Sequence, residues 1–97
     1  MRMLVLGAGL QGSACAYDLL QHTGVDRVTV ADLKPDRIAA FLRPLAGPRL
    51  ALLKLDVQDG AALRTAMGGH DAVLNAAPFY FNLEVSKAAV EDRKSVV

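Results

Sequence analysis

The chain has 97 residues, of which 53% are hydrophobic and 22% charged, with 11 basic against 10 acidic side chains. This length allows a single domain, and a near-neutral charge with no cluster of Lys or Arg excludes the electrostatic surface of a nucleic-acid-binding protein. The single Cys15, two histidines and no apolar run near the roughly 18 residues of a membrane span exclude an internal disulfide, a metal site and a transmembrane helix, and they suit a reducing, cytoplasmic setting.

The first predicted elements are a strand and a helix joined by a glycine-rich turn. Residues 3–6 are apolar without polar alternation, which is typical of a strand covered on both faces. Over residues 10–22, small and apolar side chains recur at helical spacing and predict the first helix. Residues 28–31 are rich in β-branched side chains and predict a second strand that ends at Asp32.

A second helix is predicted to follow this strand. Pro35 suits its first turn, because proline is tolerated where the backbone N–H has no helical partner. Pro44 and Gly47 would end it. Its apolar side chains would be Ile38, Phe41, Leu42 and Leu45.

Two more strands and two more helices complete the pattern. Residues 50–55 predict a third strand closed by Asp56, and Asp59 is a candidate cap for the short helix that follows. Residues 72–75 predict the fourth strand, and residues 82–93 predict a last helix with an apolar stripe.

Strict alternation of strands and helices predicts an α/β fold of the Rossmann type. Such a fold has three αβα layers around a parallel sheet with right-handed crossovers, here in the strand order 3-2-1-4. We expect residues 1–97 to be a partial domain that stops after about four strands. Ligands of such sheets bind beyond the carboxyl ends of the strands at the switch point, which here lies between strands one and four.

The turn after the first strand carries the motif Gly-x-Gly-x-x-Gly. Gly7 permits the tight turn, Gly9 leaves room for a pyrophosphate against the backbone, and Gly12 lets the helix pack closely on the sheet. Helix-start amides and the helix dipole attract the diphosphate, the dipole by roughly 0.3 to 2 kcal/mol. The amides expected to hold it belong to Ala8, Gly9, Leu10, Gln11 and Gly12. The alternative is a glycine turn used only for close packing.

Asp32 lies at the tip of the second strand, twenty residues after Gly12. There its carboxylate would accept hydrogen bonds from the adenosine ribose hydroxyls and repel a 2′-phosphate, which favours NAD over NADP as the cofactor. Lys34 and Arg37 are close enough in sequence to soften that repulsion. The alternative role for Asp32 is to cap the helix that begins near Pro35.

The ends of strands three and four carry the remaining candidate contacts. Asp56 and Val57 lie at the height expected for an adenine, although Asp56 is as readily a helix cap. Asn75, Ala76 and Ala77 leave strand four beside the switch point, where small residues admit a ribose and a nicotinamide; the alternative is a tight strand exit. No catalytic residue is identified, because His22 and His70 are expected at the opposite edge of the sheet.

Together, these segments resemble the N-terminal domain of the saccharopine dehydrogenase family. The more specific element is the Asn-Ala-Ala-Pro exit at residues 75–78, followed by Phe79. The resemblance implies NAD(P)-dependent oxidation or reduction at a carbon–nitrogen bond of amino-acid-type substrates such as saccharopine or lysine. It transfers cofactor contacts to Gly7, Gly9, Gly12, Asp32, Asp56 and Asn75, and it transfers no catalytic residue.

Two further expectations concern the rest of the protein. Members of the family continue into more strands and a substrate domain, so we expect this chain alone to be inactive, with the edge of strand four exposed and open to homodimerisation or strand exchange. The alternative function is non-enzymatic: a nucleotide-sensing regulatory domain similar to those of potassium-uptake systems.

Overall fold

The computed structural model describes residues 1–76 and 95–96. Its elements are β1 (Arg2–Leu6), α1 (Leu10–Leu20), β2 (Arg27–Asp32), β3 (Leu50–Lys54), α2 (Gly60–Gly68), β4 (Ala72–Asn75) and β5 (Ser95–Val96), with short 3-10 helices at Pro35–Arg37 and Arg43–Leu45. The predicted helix over residues 82–93 lies outside the described residues, as do Ala77 and the aromatic residues 79–81. Neither α1 nor α2 is long and apolar enough to cross a membrane.

The five strands form one parallel sheet in the order β3-β2-β1-β4-β5. This confirms the predicted order 3-2-1-4 and adds a strand to it. In the central register, Leu6 lies between Ala31 of β2 and Asn75 of β4. The carboxyl ends of β1, β2 and β4 therefore meet at one edge of the sheet.

Each face of the sheet has its own apolar core, because successive strand residues point to opposite sides. Met3 and Val5 of β1 face α1, whereas Leu4 and Leu6 face α2. The first core also contains Ala16, Leu20, Val28, Val30, Ile38, Leu42 and Leu50, and the second also contains Ala31, Leu55, Val57, Leu63, Met67 and Val73. This is the three-layer arrangement predicted from the sequence.

The predicted helix beginning near Pro35 is not formed. The backbone at Ile38 is extended, with φ −55° and ψ 146°, and only two three-residue 3-10 helices occur between β2 and β3. Pro44 has no N–H to continue a helical ladder, and the N–H of Ala39 is donated to the Ser13 hydroxyl instead of to a helical carbonyl. The helical spacing of apolar residues still identified two core side chains, since Ile38 and Leu42 are buried in the first core.

The third strand is less covered than its apolar sequence predicts. Only Leu50 of β3 is buried, whereas Leu52 and Leu53 are 40% and 36% exposed. β3 lies at the edge of the sheet, where the crossover before it supplies two short 3-10 turns instead of a full helix. A run of apolar residues therefore identifies the strand here but not its burial.

The expectation of a bare strand-four edge is also wrong. Ser95 pairs with Ala72 and Val96 with Val73, so β5 hydrogen-bonds to the edge where strand exchange was expected. The sequence pattern misses this strand because it is only two residues long and directly follows a run of charged residues. Oligomerisation itself stays an untested prediction.

An ion pair joins the starts of β1 and β4. The backbone N–H of Arg2 donates to Asp71 Oδ2 at 2.7 Å, and the Arg2 Nε lies 3.5 Å from the same oxygen. These two hydrogen bonds, the backbone one first, lower the pKa of the Asp71 carboxyl. A lowered pKa means that the pair stabilises the fold above the ordinary pKa of about 3.9 and ceases to do so as the pH falls through the folded value.

We therefore expect Asp71→Asn to lower the free energy of unfolding at pH 7 and to have a progressively smaller effect below about pH 4. Urea denaturation at several pH values measures this difference. Asp36→Asn is the matched control, because Asp36 is exposed and its carboxylate forms no hydrogen bond or ion pair within residues 1–76. A difference between Asp71→Asn and wild type that stays constant down to pH 2.5 would contradict the assignment.

Candidate functional site

The candidate site lies at the carboxyl edge of the central strands. Hydrogen bonds continue past the strand ends, from Gly7 N–H to the Ala31 carbonyl and from Ala76 N–H to the Leu6 carbonyl, both at 2.8 Å. They bring the glycine turn beside Asp32 on one side and beside Ala76 on the other. The predicted switch point is therefore also where the predicted site residues of β1, β2 and β4 come together.

Two of the three motif glycines are required by the fold itself. Gly7 has φ 107°, in the left-handed region that side chains rarely adopt. A Cβ on Gly12 would lie 1.8 Å from the Gly7 carbonyl oxygen, which no real Cβ tolerates, and 3.6 Å from the Ala76 Cβ. The close approach of α1 to the turn therefore depends on glycine at position 12.

Gly9 has no such structural reason to be glycine. It has φ −64° and ψ −169°, an extended conformation open to any residue, and a Cβ built on it meets no atom within 4 Å. No atom of the described residues therefore fills the space beside this backbone. A glycine that the fold does not need, at an open position in the turn, is the feature expected where a ligand approaches the backbone closely.

The start of α1 supplies hydrogen-bond donors next to this space. Gly9 is the N-cap, no side chain caps the helix, and the first helical bond runs from Ser13 N–H to the Gly9 carbonyl at 2.8 Å. Within residues 1–76, the N–H groups of Leu10, Gln11 and Gly12 therefore have no acceptor. Unpaired amides at a helix start, together with the helix dipole, bind phosphate groups well.

The start of α2 is different, because a side chain of the protein caps it. The Asp59 carboxylate accepts a hydrogen bond from Ala62 N–H at 3.2 Å and caps the helix as the sequence predicts. The two described helices thus begin in different ways. Of these two helices, α1 is the one whose first turn has no side-chain cap.

Ala8 was predicted to offer its amide to a diphosphate, and here the structure differs. Ala8 is fully buried, and its N–H donates to Asp32 Oδ2 at 2.8 Å. The backbone amides available to a ligand therefore begin after Ala8, because the Asp32 carboxylate already accepts the hydrogen bond from the Ala8 N–H.

Asp32 is held in place by two backbone amides. Its Oδ2 accepts from Ala8 and its Oδ1 accepts from Lys34 N–H at 2.9 Å. The bond to Lys34 closes a local turn before the 3-10 helix at Pro35–Arg37, but no side chain caps that helix, so the alternative role of Asp32 as a helix cap is not observed. Each carboxylate oxygen can accept two hydrogen bonds, so this fixed group retains acceptor capacity for a ligand hydroxyl.

Ser13 is a site residue that sequence reasoning missed. Its side chain is fully buried, and its hydroxyl donates to the Ala8 carbonyl at 3.1 Å and accepts from Ala39 N–H at 2.9 Å. The available signal was a polar residue directly after Gly12, on the face of α1 that also carries buried Ala16. A buried hydroxyl is retained where its hydrogen bonds are satisfied.

The candidate residues after β3 and at the end of β4 lie in different environments. Asp56 is exposed and its Oδ1 accepts from Gln58 N–H at 2.9 Å, so it caps the turn before α2. Val57 is buried in the second core beside Leu63. Asn75 is half-buried at the end of β4, next to Leu6 in the register.

The histidines and the cysteine lie away from this edge. His70 precedes β4 and has its Nδ1 2.6 Å from the Ala66 carbonyl and its Nε2 2.8 Å from the Thr29 hydroxyl. Because a carbonyl only accepts, Nδ1 carries a proton in this arrangement. Cys15 is a free thiol, half-buried on α1.

Comparison with known proteins identifies the family. The family model described as the saccharopine dehydrogenase NADP-binding domain matches residues 3–97. The chain belongs to this family. It is 30% identical over 94 residues to the saccharopine dehydrogenase [NADP(+), L-glutamate-forming] of Schizosaccharomyces pombe, and this match covers 97% of the chain but 20% of the relative. The chain therefore spans about a fifth of the length of this saccharopine dehydrogenase.

Solved structures show the same fold. The apo saccharopine dehydrogenase (L-Glu forming) of Saccharomyces cerevisiae matches with a TM-score of 0.83 and 26% identity, over 98% of this chain and 20% of that one. A short-chain dehydrogenase/reductase of Veillonella parvula, solved in complex with NADP, matches with a TM-score of 0.74 and 21% identity, over 98% and 45%. The second likeness shows the Rossmann-type fold alone.

These comparisons confirm a dinucleotide-binding domain of oxidoreductase type, but they do not support the predicted preference for NAD over NADP. The family description names NADP. The residues present fit a dinucleotide, because Gly9 leaves an open space beside unpaired amides of α1.

Proposed function

We propose that this chain supplies the NADP(H)-binding part of a saccharopine dehydrogenase-like oxidoreductase that acts on carbon–nitrogen bonds of amino-acid-type substrates. The observation that carries the proposal is the open space at Gly9. It combines a glycine that the fold does not require with unpaired amides at the start of α1. A diphosphate in that space would accept from these amides and lie at the positive end of the helix dipole.

The ribose end of the cofactor is proposed to lie against Asp32 and the segment after it. The hydrogen bonds from two backbone amides disperse part of the negative charge of Asp32. Lys34 and Arg37 are exposed on the segment that follows Asp32. Cations at these positions suit a 2′-phosphate. NADP(H), which the family description names, is therefore proposed in preference to NAD(H).

When bound, the nicotinamide supplies hydride transfer, and the residues of this chain bind and orient it. Asn75 and Ala76 lie beside the glycine turn and are proposed to contact the nicotinamide half. The groups that bind substrate and move protons are proposed to lie in other parts of a longer protein, since the chain spans a fifth of its curated relative. The half-buried free Cys15 suits the reducing cytoplasm, which is the proposed location.

Fluorescence titration of the 97-residue chain with NADPH and with NADH tests the proposal directly. Saturable binding of NADPH with a dissociation constant lower than that of NADH is the expected result. Absence of saturable binding for both cofactors would refute a dinucleotide site, and tighter binding of NADH would refute the choice of NADP(H).

The cations on the segment after β2 give a sharper prediction. Replacing both Lys34 and Arg37 with Gln is expected to raise the dissociation constant of NADPH about tenfold and to leave that of NADH nearly unchanged. Exposed charge-assisted contacts contribute roughly 0.5 to 1 kcal/mol each. Arg27→Gln is the matched control, because Arg27 is exposed at the opposite end of β2. Equal weakening of NADPH and NADH in the double variant would mean that these cations do not contact the 2′-phosphate.

A further inference from the structure

The glycine turn is tied by side chains on both sides of one residue, Ala8. The Ser13 hydroxyl donates to the Ala8 carbonyl at 3.1 Å, and the Asp32 carboxylate accepts from the Ala8 N–H at 2.8 Å. Both polar groups of this buried peptide are therefore satisfied by side chains, one from α1 and one from β2. Such an arrangement fixes the turn relative to both elements.

The same two side chains also form hydrogen bonds at the two ends of residues 33–38, the 33–38 segment. Asp32 uses its other oxygen for Lys34 N–H at 2.9 Å, and the Ser13 hydroxyl accepts from Ala39 N–H at 2.9 Å. The segment is thus fastened at its start and just after its end. Both fastenings lead back to Ala8.

Between these two fastenings, the 33–38 segment presents its charged side chains to solvent. Lys34 and Arg37 are exposed, whereas Ile38 is 4% exposed and packs into the first core. Pro35 begins the 3-10 helix and restricts the backbone there. The position of the two cations relative to the glycine turn is therefore set by the fastenings at Asp32 and Ser13.

We propose that Ser13 is a positioning residue for cofactor selection: through Ala8 and Ala39 it sets the distance between the diphosphate-binding turn and the cations of the 33–38 segment. NADPH must engage the turn with its diphosphate and the cations with its 2′-phosphate, so it depends on that distance. NADH engages the turn without needing the cations. The inference rests on the proposed function of the site.

The test compares Ser13→Ala with Thr65→Ala in the 97-residue chain. Both variants remove a hydroxyl from a helix, but the Thr65 hydroxyl is exposed on α2 and, within the described part of the chain, bonds only to the Ala61 carbonyl, at 3.0 Å. We expect Ser13→Ala to raise the dissociation constant of NADPH about three- to tenfold and that of NADH less than about twofold. Thr65→Ala is expected to change neither. Circular dichroism below the unfolding temperature confirms that each variant is folded.

Ser13→Cys guards against loss of the fold in the first variant. It keeps a side chain of similar shape at this buried position with a weaker donor and acceptor, so the ratio of the two dissociation constants should shift in the same direction by a smaller factor. Equal changes for NADPH and NADH, or no change for either, would show that Ser13 only supports the fold and would overturn the inference. Wild-type chain that binds neither cofactor would instead overturn the proposed function, and the inference with it.

Discussion

Gly12→Ala is expected to destabilise the chain by about 3 kcal/mol or more, because the added methyl group has no space to occupy. The new Cβ would lie 1.8 Å from the oxygen and 2.7 Å from the carbon of the Gly7 carbonyl, which are backbone atoms. Either α1 moves away from the turn or the turn itself distorts. In a domain of this size the loss is a large fraction of the roughly 5 to 15 kcal/mol that holds a typical fold together.

Chemical denaturation followed by circular dichroism measures this effect. Gly68→Ala is the matched control, since a Cβ on Gly68 at the end of α2 meets no atom within 4 Å. Alanine there should raise the free energy of unfolding by up to about 1 kcal/mol, because alanine favours helix more than glycine does. If Gly12→Ala unfolds at the same denaturant concentration as wild type, the close packing of α1 on the Gly7 carbonyl is wrong.

Gly9→Ser is expected to abolish most dinucleotide binding while leaving the fold intact. The serine side chain would enter the space that the proposed diphosphate occupies, and its hydroxyl is well placed to accept from the same helix-start amides. Serine is also a better helix N-cap than glycine, so the free energy of unfolding should stay level or rise by a few tenths of a kcal/mol. The dissociation constant of NADPH should rise by at least about tenfold, which corresponds to about 1.4 kcal/mol.

Calorimetric titration together with thermal unfolding separates these two effects. Gly24→Ser is the control, because Gly24 is also open, with no atom within 4 Å of an added Cβ, but lies in the loop before β2 at the opposite edge of the sheet. Binding that survives in Gly9→Ser at wild-type affinity would place the ligand elsewhere. A large drop in unfolding temperature would show instead that Gly9 is required by the fold.

The strand order and the glycine turn were predictable because they depend on local patterns. Apolar runs identify β1 and β2, and the alternation of strands with helices leaves few topologies for a parallel sheet. The motif at residues 7–12 describes a turn whose conformation is determined mainly within itself, as the positive φ of Gly7 shows. Such features need little information from distant parts of the chain.

The features that were missed depend on contacts between distant residues. The apolar spacing after Pro35 is helical, yet the Ala39 N–H bonds to Ser13, 26 positions away in sequence. The Ala8 amide appears available in the motif and is taken by Asp32, 24 positions away. β5 is too short to give a pattern and exists by pairing with β4. Local sequence propensity does not reveal a hydrogen-bond partner that lies nearby only in the folded chain.

Asp32 shows that the sequence can predict where a side chain lies without predicting the contacts that it makes. The tip of β2 does bring its carboxylate beside the glycine turn. The two backbone amides from which it accepts hydrogen bonds cannot be identified from the sequence. The preference for NAD was drawn from the acidic residue alone, and the family description, which names NADP, does not support it.

The uncapped start of α1 links ligand binding to conformational stability. Leu10, Gln11 and Gly12 begin a helix whose first turn is completed by no side chain of the described protein. An anion seated there would act as the missing cap, so occupancy would add to the free energy of unfolding by about 2.7 kcal/mol at a hundredfold excess over the dissociation constant. Cellular cofactor concentration would thereby regulate how long the chain survives proteolysis as well as whether it is loaded.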